Sequence, residues 1–178
     1  MSKCIVYFHG FNGSPEADSK IAIQQAFPEH LVLSYPIVHQ EGPTKIAAKL
    51  EKAINTIFDT YHPEDVILVG NSAGGLWAYH FAKQQGSRMV LLNPSLEPVK
   101  NLTKFGLEAK VLQDYAEFNL AKGEPSKNHH VFLSDQDDVV KPDYAAKKFK
   151  NVTWLKGEGH RIVNMGPVIN IMKKHLMH

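Results

Sequence analysis

Cysteine is all but missing from this 178-residue chain. The single thiol, Cys4, leaves no internal disulfide to form, which excludes a stapled extracellular framework. It stands in an apolar run and reads as a buried filler rather than a reactive group. Long hydrophobic runs are missing too: nothing approaches the roughly 18 apolar residues of a membrane span. The chain starts with only Lys3 ahead of a short strand-like run, too little for a signal peptide, so the expectation is a cytoplasmic protein with no membrane partner. Charge of one sign is also scarce. Twenty Lys and Arg against 18 Asp and Glu leave +2, which gives no argument for nucleic acid. Lys147, Lys148 and Lys150, and again Lys173 and Lys174, cluster without interleaved aromatics and read as solvated helix faces. The ten histidines are scattered without metal-ligand spacing, so neither a metal nor an organic cofactor is expected. Repeats, low-complexity tracts and linkers are absent, and the length suits one domain over 1–178.

What the chain does have is a set of six short, β-branched or apolar runs: Cys4–Phe8, Leu31–Ser34, Val66–Val69, Met89–Leu92, His130–Leu133 and Val152–Leu155. They are nearly continuous in hydrophobicity, as strands covered on both faces should be. Between them lie helix-length segments. Lys45–Phe58 carries Ile46, Leu50, Ala53, Ile54 and Ile57 at helical spacing, and Leu76–Ala82, Tyr144–Phe149 and Val168–Leu176 also read as helix. Thr44 and Pro142 are N-terminal signals for their helices. This alternation predicts an α/β fold, a three-layer sandwich around a mostly parallel six-stranded sheet. Residues 94–128 form the longest interval without a strand, either a plain crossover or a small cap. Leu107, Val111, Leu112, Tyr115 and Phe118 have helical spacing within it. Leu96, Val99, Leu102 and Phe105 are either the lining of an acyl pocket or ordinary core beneath a connection.

Chemistry enters after the third run, at Gly70-Asn71-Ser72-Ala73-Gly74-Gly75, a G-x-S-x-G sequence. A nucleophile elbow puts its serine on a strained strand-to-helix turn that lifts the hydroxyl above the sheet. Glycines two residues to either side fit because a Cβ there would clash. The bare pattern is short, and a phosphate-binding βα turn is the competing reading. Its context favours the elbow: a strand precedes it, a helix follows, and no lysine of a phosphate-binding loop is present. The first strand ends in His9-Gly10-Phe11-Asn12-Gly13-Ser14-Pro15. An HG loop at this point contributes one oxyanion donor, the Phe11 N–H, and the elbow contributes the Ala73 N–H.

A serine nucleophile needs a base and an orienting carboxylate. Active groups of open α/β sheets gather beyond the carboxyl ends of the strands, which sorts the histidines. His129 and His130 open a strand at the wrong end, and His62 precedes one. His80 lies within a helix, and His175 and His178 end the chain. His39 follows the second strand but precedes the serine in sequence. His160 follows the last strand in the glycine-rich loop from Lys156, which fits the chain order serine, acid, histidine. The acid belongs after the fifth strand, where Asp135, Asp137 and Asp138 compete. The G-x-x-D-x-x-V pattern of such loops favours Asp137, with Ser134 in place of the glycine.

These motifs together resemble the YqiA-like esterases, a family of small bacterial α/β-hydrolases. The matching residues are His9-Gly10-Phe11-Asn12 with Ser14-Pro15, the elbow around Ser72, Asn93-Pro94, Pro98, Asp137-Asp138-Val139 and Gly159-His160. The likeness spans the chain in order. It implies a trimmed α/β-hydrolase fold lacking the first two strands of the larger fold. It also implies a Ser72, His160, Asp137 triad and a small acyl ester as substrate, with acyl-CoA thioesters a further class. Ala73 departs from the frequent leucine, and 94–128 is hard to match. A thioesterase or amidase with the same triad is one rival, and a non-catalytic hydrolase-like binding protein is another.

Overall fold

The computed structural model describes residues 2–121 and 128–177; Met1, His178 and 122–127 of the expected 94–128 segment lie outside the described residues. Six strands, β1 (Cys4–Phe8), β2 (Leu31–Ser34), β3 (Val66–Asn71), β4 (Arg88–Leu92), β5 (His129–Ser134) and β6 (Val152–Leu155), form one sheet in the order β2-β1-β3-β4-β5-β6. Every pairing is parallel, so the sequence's "mostly parallel" sheet is wholly parallel. The central strands β1, β3 and β4 are buried almost throughout, which is why they read as unbroken apolar runs.

Their side chains still alternate between two cores. Cys4, Val6 and Phe8 join Leu68, Met89, Leu91 and Val131 on one face, while Ile5, Tyr7, Ile67, Val69, Val90 and Phe132 point to the other. Helices α2 (Pro43–Thr60) and α3 (Gly74–Gln85) cover the first face through Ile46, Leu50, Ile54, Trp77 and Phe81. Helices α1 (Asp18–Ala26) and α7 (Gly166–Met177) cover the second through Ile23, Val168 and Met172. The result is the expected three-layer arrangement.

Residues 94–121 depart from a plain crossover helix. They carry two short helices, α4 (Pro98–Leu102) and α5 (Ala109–Glu117), and an exposed turn at Thr103–Phe105 between them. Leu102, Val111 and Tyr115 pack with Ala73, Leu76 and Phe11 in a third, smaller apolar cluster. Thr44 does not cap α2 as expected. The helix starts at Pro43, and the Thr44 hydroxyl donates to the carboxylate of Asp114 on α5 at 2.5 Å. A short helix, α6 (Asp143–Lys148), begins directly after Pro142, in line with the sequence signal.

The register aligns the carboxyl ends. Phe8 pairs with Gly70, Asn71 with Leu92, and Ser134 with Leu155. The hydrogen-bond ladder then runs one step beyond the strands: Ser72 N–H donates to Leu92 O, Asn93 N–H to Phe132 O and Asp135 N–H to Leu155 O. The loops that leave β3, β4, β5 and β6 are thereby tied side by side. Strand order reverses between β1 and β3, and their outgoing loops flank the crevice where open α/β sheets hold their ligands.

Candidate active site

At the end of β3 the chain turns sharply. Ser72 has φ +52°, in the left-handed region that an L-residue with a side chain rarely adopts. The turn is held from both sides, because the Ser72 carbonyl accepts N–H groups from Gly75 and Ser95, each at 2.9 Å. The two glycines are required sterically. A Cβ at Gly70 would stand 2.6 Å from the Gly74 carbonyl oxygen and 2.8 Å from the Ala78 methyl. One at Gly74 would collide with the Phe8 carbonyl and lie 2.6 Å from the His9 carbonyl oxygen. The clash read from the sequence is therefore present at both positions.

Three of the residues singled out in the sequence meet here. The Ser72 hydroxyl lies 2.8 Å from His160 Nε2. His160 Nδ1 lies 2.8 and 3.0 Å from the two carboxylate oxygens of Asp137. His160 is 20% exposed and the Asp137 side chain only 2%. Burial pushes the Asp137 carboxyl up. The hydrogen bond from His160, the Val140 N–H, the charge of His160 and the Val139 N–H outweigh that and hold it below the usual carboxylate range. Both backbone donors meet the same oxygen, Oδ1, at 2.9 Å.

The other two aspartates of the loop do different things. Asp138 is exposed. Asp135 accepts the Gly157 N–H at 2.8 Å, which joins the acid loop to the histidine loop. Glu158, which no sequence motif singles out, accepts the N–H groups of Val163 and Asn164 at 2.8 and 3.1 Å and braces the far side of the histidine loop. An acidic residue between two glycines is the signal available in the sequence, and it does not say which amides it will meet.

The loop after β1 approaches the serine closely: a Cβ on Gly10 would stand 3.1 Å from Ser72 Cβ. Among the described residues, neither the Phe11 nor the Ala73 N–H donates to a protein acceptor. Ala73 stands immediately before α3, where the helix dipole favours negative charge. His39 is not at the serine. It is 1% exposed, and its Nε2–H lies 3.4 Å from the His9 carbonyl it faces. Burial lowers its pKa to about 4. His9 accepts the Ile37 N–H on Nε2 at 3.0 Å and donates Nδ1–H to Gly10 O, a neutral clamp on the loop that carries Phe11. The Phe11 ring stacks on Phe105 with centroids 4.8 Å apart, and Phe105 is 44% exposed. Leu96 and Leu102, by contrast, are buried core. Lys104 donates to the Val139 carbonyl, so the Thr103–Phe105 turn touches both the loop that carries Phe11 and the loop that carries Asp137.

With this geometry in view, a family model described as the uncharacterised protein family UPF0227 matches residues 4–177. The chain belongs to this family. It is the YqiA-like group to which the motifs pointed. Curated UPF0227 members include one from Serratia proteamaculans, 23% identical over 183 residues and covering 95% of this chain and 96% of that one. Another, from Vibrio atlanticus, is 23% identical over 176 residues, with 95% and 97% covered. Among solved structures, Est1E from Butyrivibrio proteoclasticus superposes with a TM-score of 0.74 at 15% identity, over 99% of this chain and 89% of that one. The same protein with ferulic acid bound gives 0.77 at 15% identity, over 98% and 88%. Esterase PE8 gives 0.68 at 16% identity, over 98% and 93%. This UPF0227 member has the α/β-hydrolase fold. No helix among its described residues is long and apolar enough to cross a membrane.

Proposed function

We propose that this UPF0227 member is a serine esterase that cleaves small carboxylic esters through an acyl-enzyme on Ser72. One observation carries the reading: the unbroken hydrogen-bond chain from Ser72 Oγ through His160 to Asp137. The buried carboxylate accepts Nδ1–H, which leaves the Nε2 lone pair facing the serine hydroxyl. Ser72 Oγ attacks the ester carbonyl as His160 Nε2 takes its proton. The tetrahedral oxyanion is received by the free N–H groups of Phe11 and Ala73, each worth about 3 kcal/mol in such sites. His160 returns the proton to the departing alcohol, and water, activated by the same nitrogen, releases the acid. The esterases among the structural neighbours support an ester over an amide as substrate. Thioesters stay within reach of the same machinery.

Residues 94–121 serve in this reading as a small cap, with Phe105 and Phe11 as an apolar wall beside the serine. The aromatic acid bound to Est1E agrees with a substrate carrying a planar apolar group. A fluorophosphonate probe tests the assignment. Wild type is expected to take up one label on the peptide containing Ser72, and folded Ser72→Ala to lose both label and hydrolysis. An unlabelled, folded wild type, or a hydrolytically active Ser72→Ala free of contaminating esterase, would overturn it.

A further inference from the structure

Asn93, at the end of β4, touches neither Ser72 Oγ nor the His160 ring by any hydrogen bond, yet its amide is fully engaged. It is 2% exposed and sits at φ +43°. Its Oδ1 accepts the Ser134 N–H at 2.8 Å, which fixes the orientation of the amide. Its Nδ2 then faces three acceptors: Ser134 Oγ at 2.8 Å, the His160 carbonyl at 3.0 Å and the Gly159 carbonyl at 3.2 Å. Backbone carbonyls can only accept, so no other orientation of the amide satisfies them. One side chain thus joins the end of β5, which leads to Asp137, to the two residues that deliver the histidine.

We infer that Asn93 is a positioning residue, resting on the esterase reading, that sets the His160 ring between Ser72 and Asp137. Three features make this more than general packing. The bonds go to the loop carbonyls of Gly159 and His160 themselves rather than to a strand or helix. The left-handed backbone at 93 is one that glycine adopts freely, so the turn itself does not depend on a side chain there. And a displacement of about 1 Å at a reacting group lowers turnover by about 100-fold while leaving substrate contacts alone.

The decisive variant is Asn93→Gly, which relieves the left-handed strain while removing the side chain and with it the amide. Its Tm should stay within a few degrees of wild type, its kcat on a short p-nitrophenyl ester should fall about 100-fold, and its KM should move less than about threefold. Asn93→Asp, which turns an acceptor toward two carbonyls, should lose at least as much. A second readout does not depend on turnover: the downfield Nδ1–H proton resonance of 15N-labelled His160, expected in wild type and Ser72→Ala, should broaden away in Asn93→Gly. A folded Asn93→Gly with kcat within threefold of wild type and the resonance intact overturns the inference. So does collapse of its Tm, which would make Asn93 part of the folding core instead. If wild type shows no hydrolysis, loss of the resonance in Asn93→Gly still supports positioning while the esterase reading fails. Its retention there removes both.

Discussion

Replacing Asp137 by asparagine is the sharpest perturbation of the proposed mechanism, because the surroundings dictate which way the new amide will face. Val139 N–H and Val140 N–H both donate to Oδ1 at 2.9 Å. An amide NH2 cannot accept them, so the oxygen of the substituted side chain must take that position. Its NH2 must then turn to His160 Nδ1, 2.8 Å from the present Oδ2. His160 has to accept on Nδ1 and carry its proton on Nε2, facing Ser72 Oγ with a hydrogen where the lone pair is needed. Geometry is kept and the tautomer is wrong. The expected loss in kcat is about 10⁴-fold, or about 5.5 kcal/mol in barrier height.

Stability should suffer far less. Losing the charge-assisted bond to His160 costs about 1–2 kcal/mol, a Tm shift of about 3–6 °C for a chain of this size. The sign with pH can be worked out. The folded carboxyl is held below its ordinary value near 3.8, so its contribution is complete above that value and is lost as pH falls through the folded value. The Tm gap between wild type and Asp137→Asn should therefore narrow in acid. Steady-state hydrolysis and thermal melts measure both, with Asp138→Asn as the exposed control, expected within about twofold of wild type. An Asp137→Asn protein that melts normally and keeps a tenth of wild-type turnover would refute the tautomer argument.

Other expectations follow from single observations. Gly74→Ala puts a methyl into the Phe8 and His9 carbonyls, which are backbone and cannot move aside; it should lose about 3 kcal/mol or more and melt about 6–12 °C lower, and an unchanged Tm would contradict the packing described. His39 is neutral when folded, with a pKa of about 4 against 6.5 when unfolded, so the unfolded chain gains the proton first as pH falls below 6.5. Denaturant titrations should find about 2 kcal/mol of stability lost from this residue alone between about pH 7 and about pH 5, and a His39→Gln protein should show a correspondingly shallower slope over that range. Phe105→Ala should raise KM about fivefold to tenfold for aromatic acyl esters while leaving acetate esters unaffected; equal effects on both would deny Phe105 a place in the acyl wall.

The parts of the site that are legible in the sequence are those whose constraint is local. Gly70 and Gly74 are fixed by atoms within eight residues or by the adjoining strand, so the elbow shows as a short pattern. His160 can be picked from ten histidines because chain order and strand ends exclude the others, and Asp137 is preferred over its neighbours from loop pattern and family likeness. Asn93 is visible only as part of a family motif, since its amide partners lie 41, 66 and 67 residues away and nothing nearby in sequence names them. Thr44 marks the start of α2, but its hydroxyl serves Asp114, 70 residues distant, a partner that nothing nearby in sequence names. Helix α1 escapes a specific assignment because it buries only Lys20 and Ile23, too thin a stripe to register as a period.

Where the Ser72 and His160 loops hang on the sheet explains how much bracing each needs. Ser72 leaves β3, a strand buried nearly from end to end and paired on both sides, and its turn is closed by glycine packing and backbone bonds alone. His160 leaves β6, an edge strand, four residues long and buried only at Leu155, with a neighbour on one side only. An edge strand gives its outgoing loop no second partner strand to fix its direction. The side chains that compensate are the ones found around it: Asp135 on Gly157, Glu158 on Val163 and Asn164, and Asn93 on Gly159 and His160. A six-stranded sheet can therefore keep a closely held histidine on its edge, provided these polar side chains, drawn from the residue just past β4, the acid loop and the histidine loop itself, hold the loop that the sheet does not.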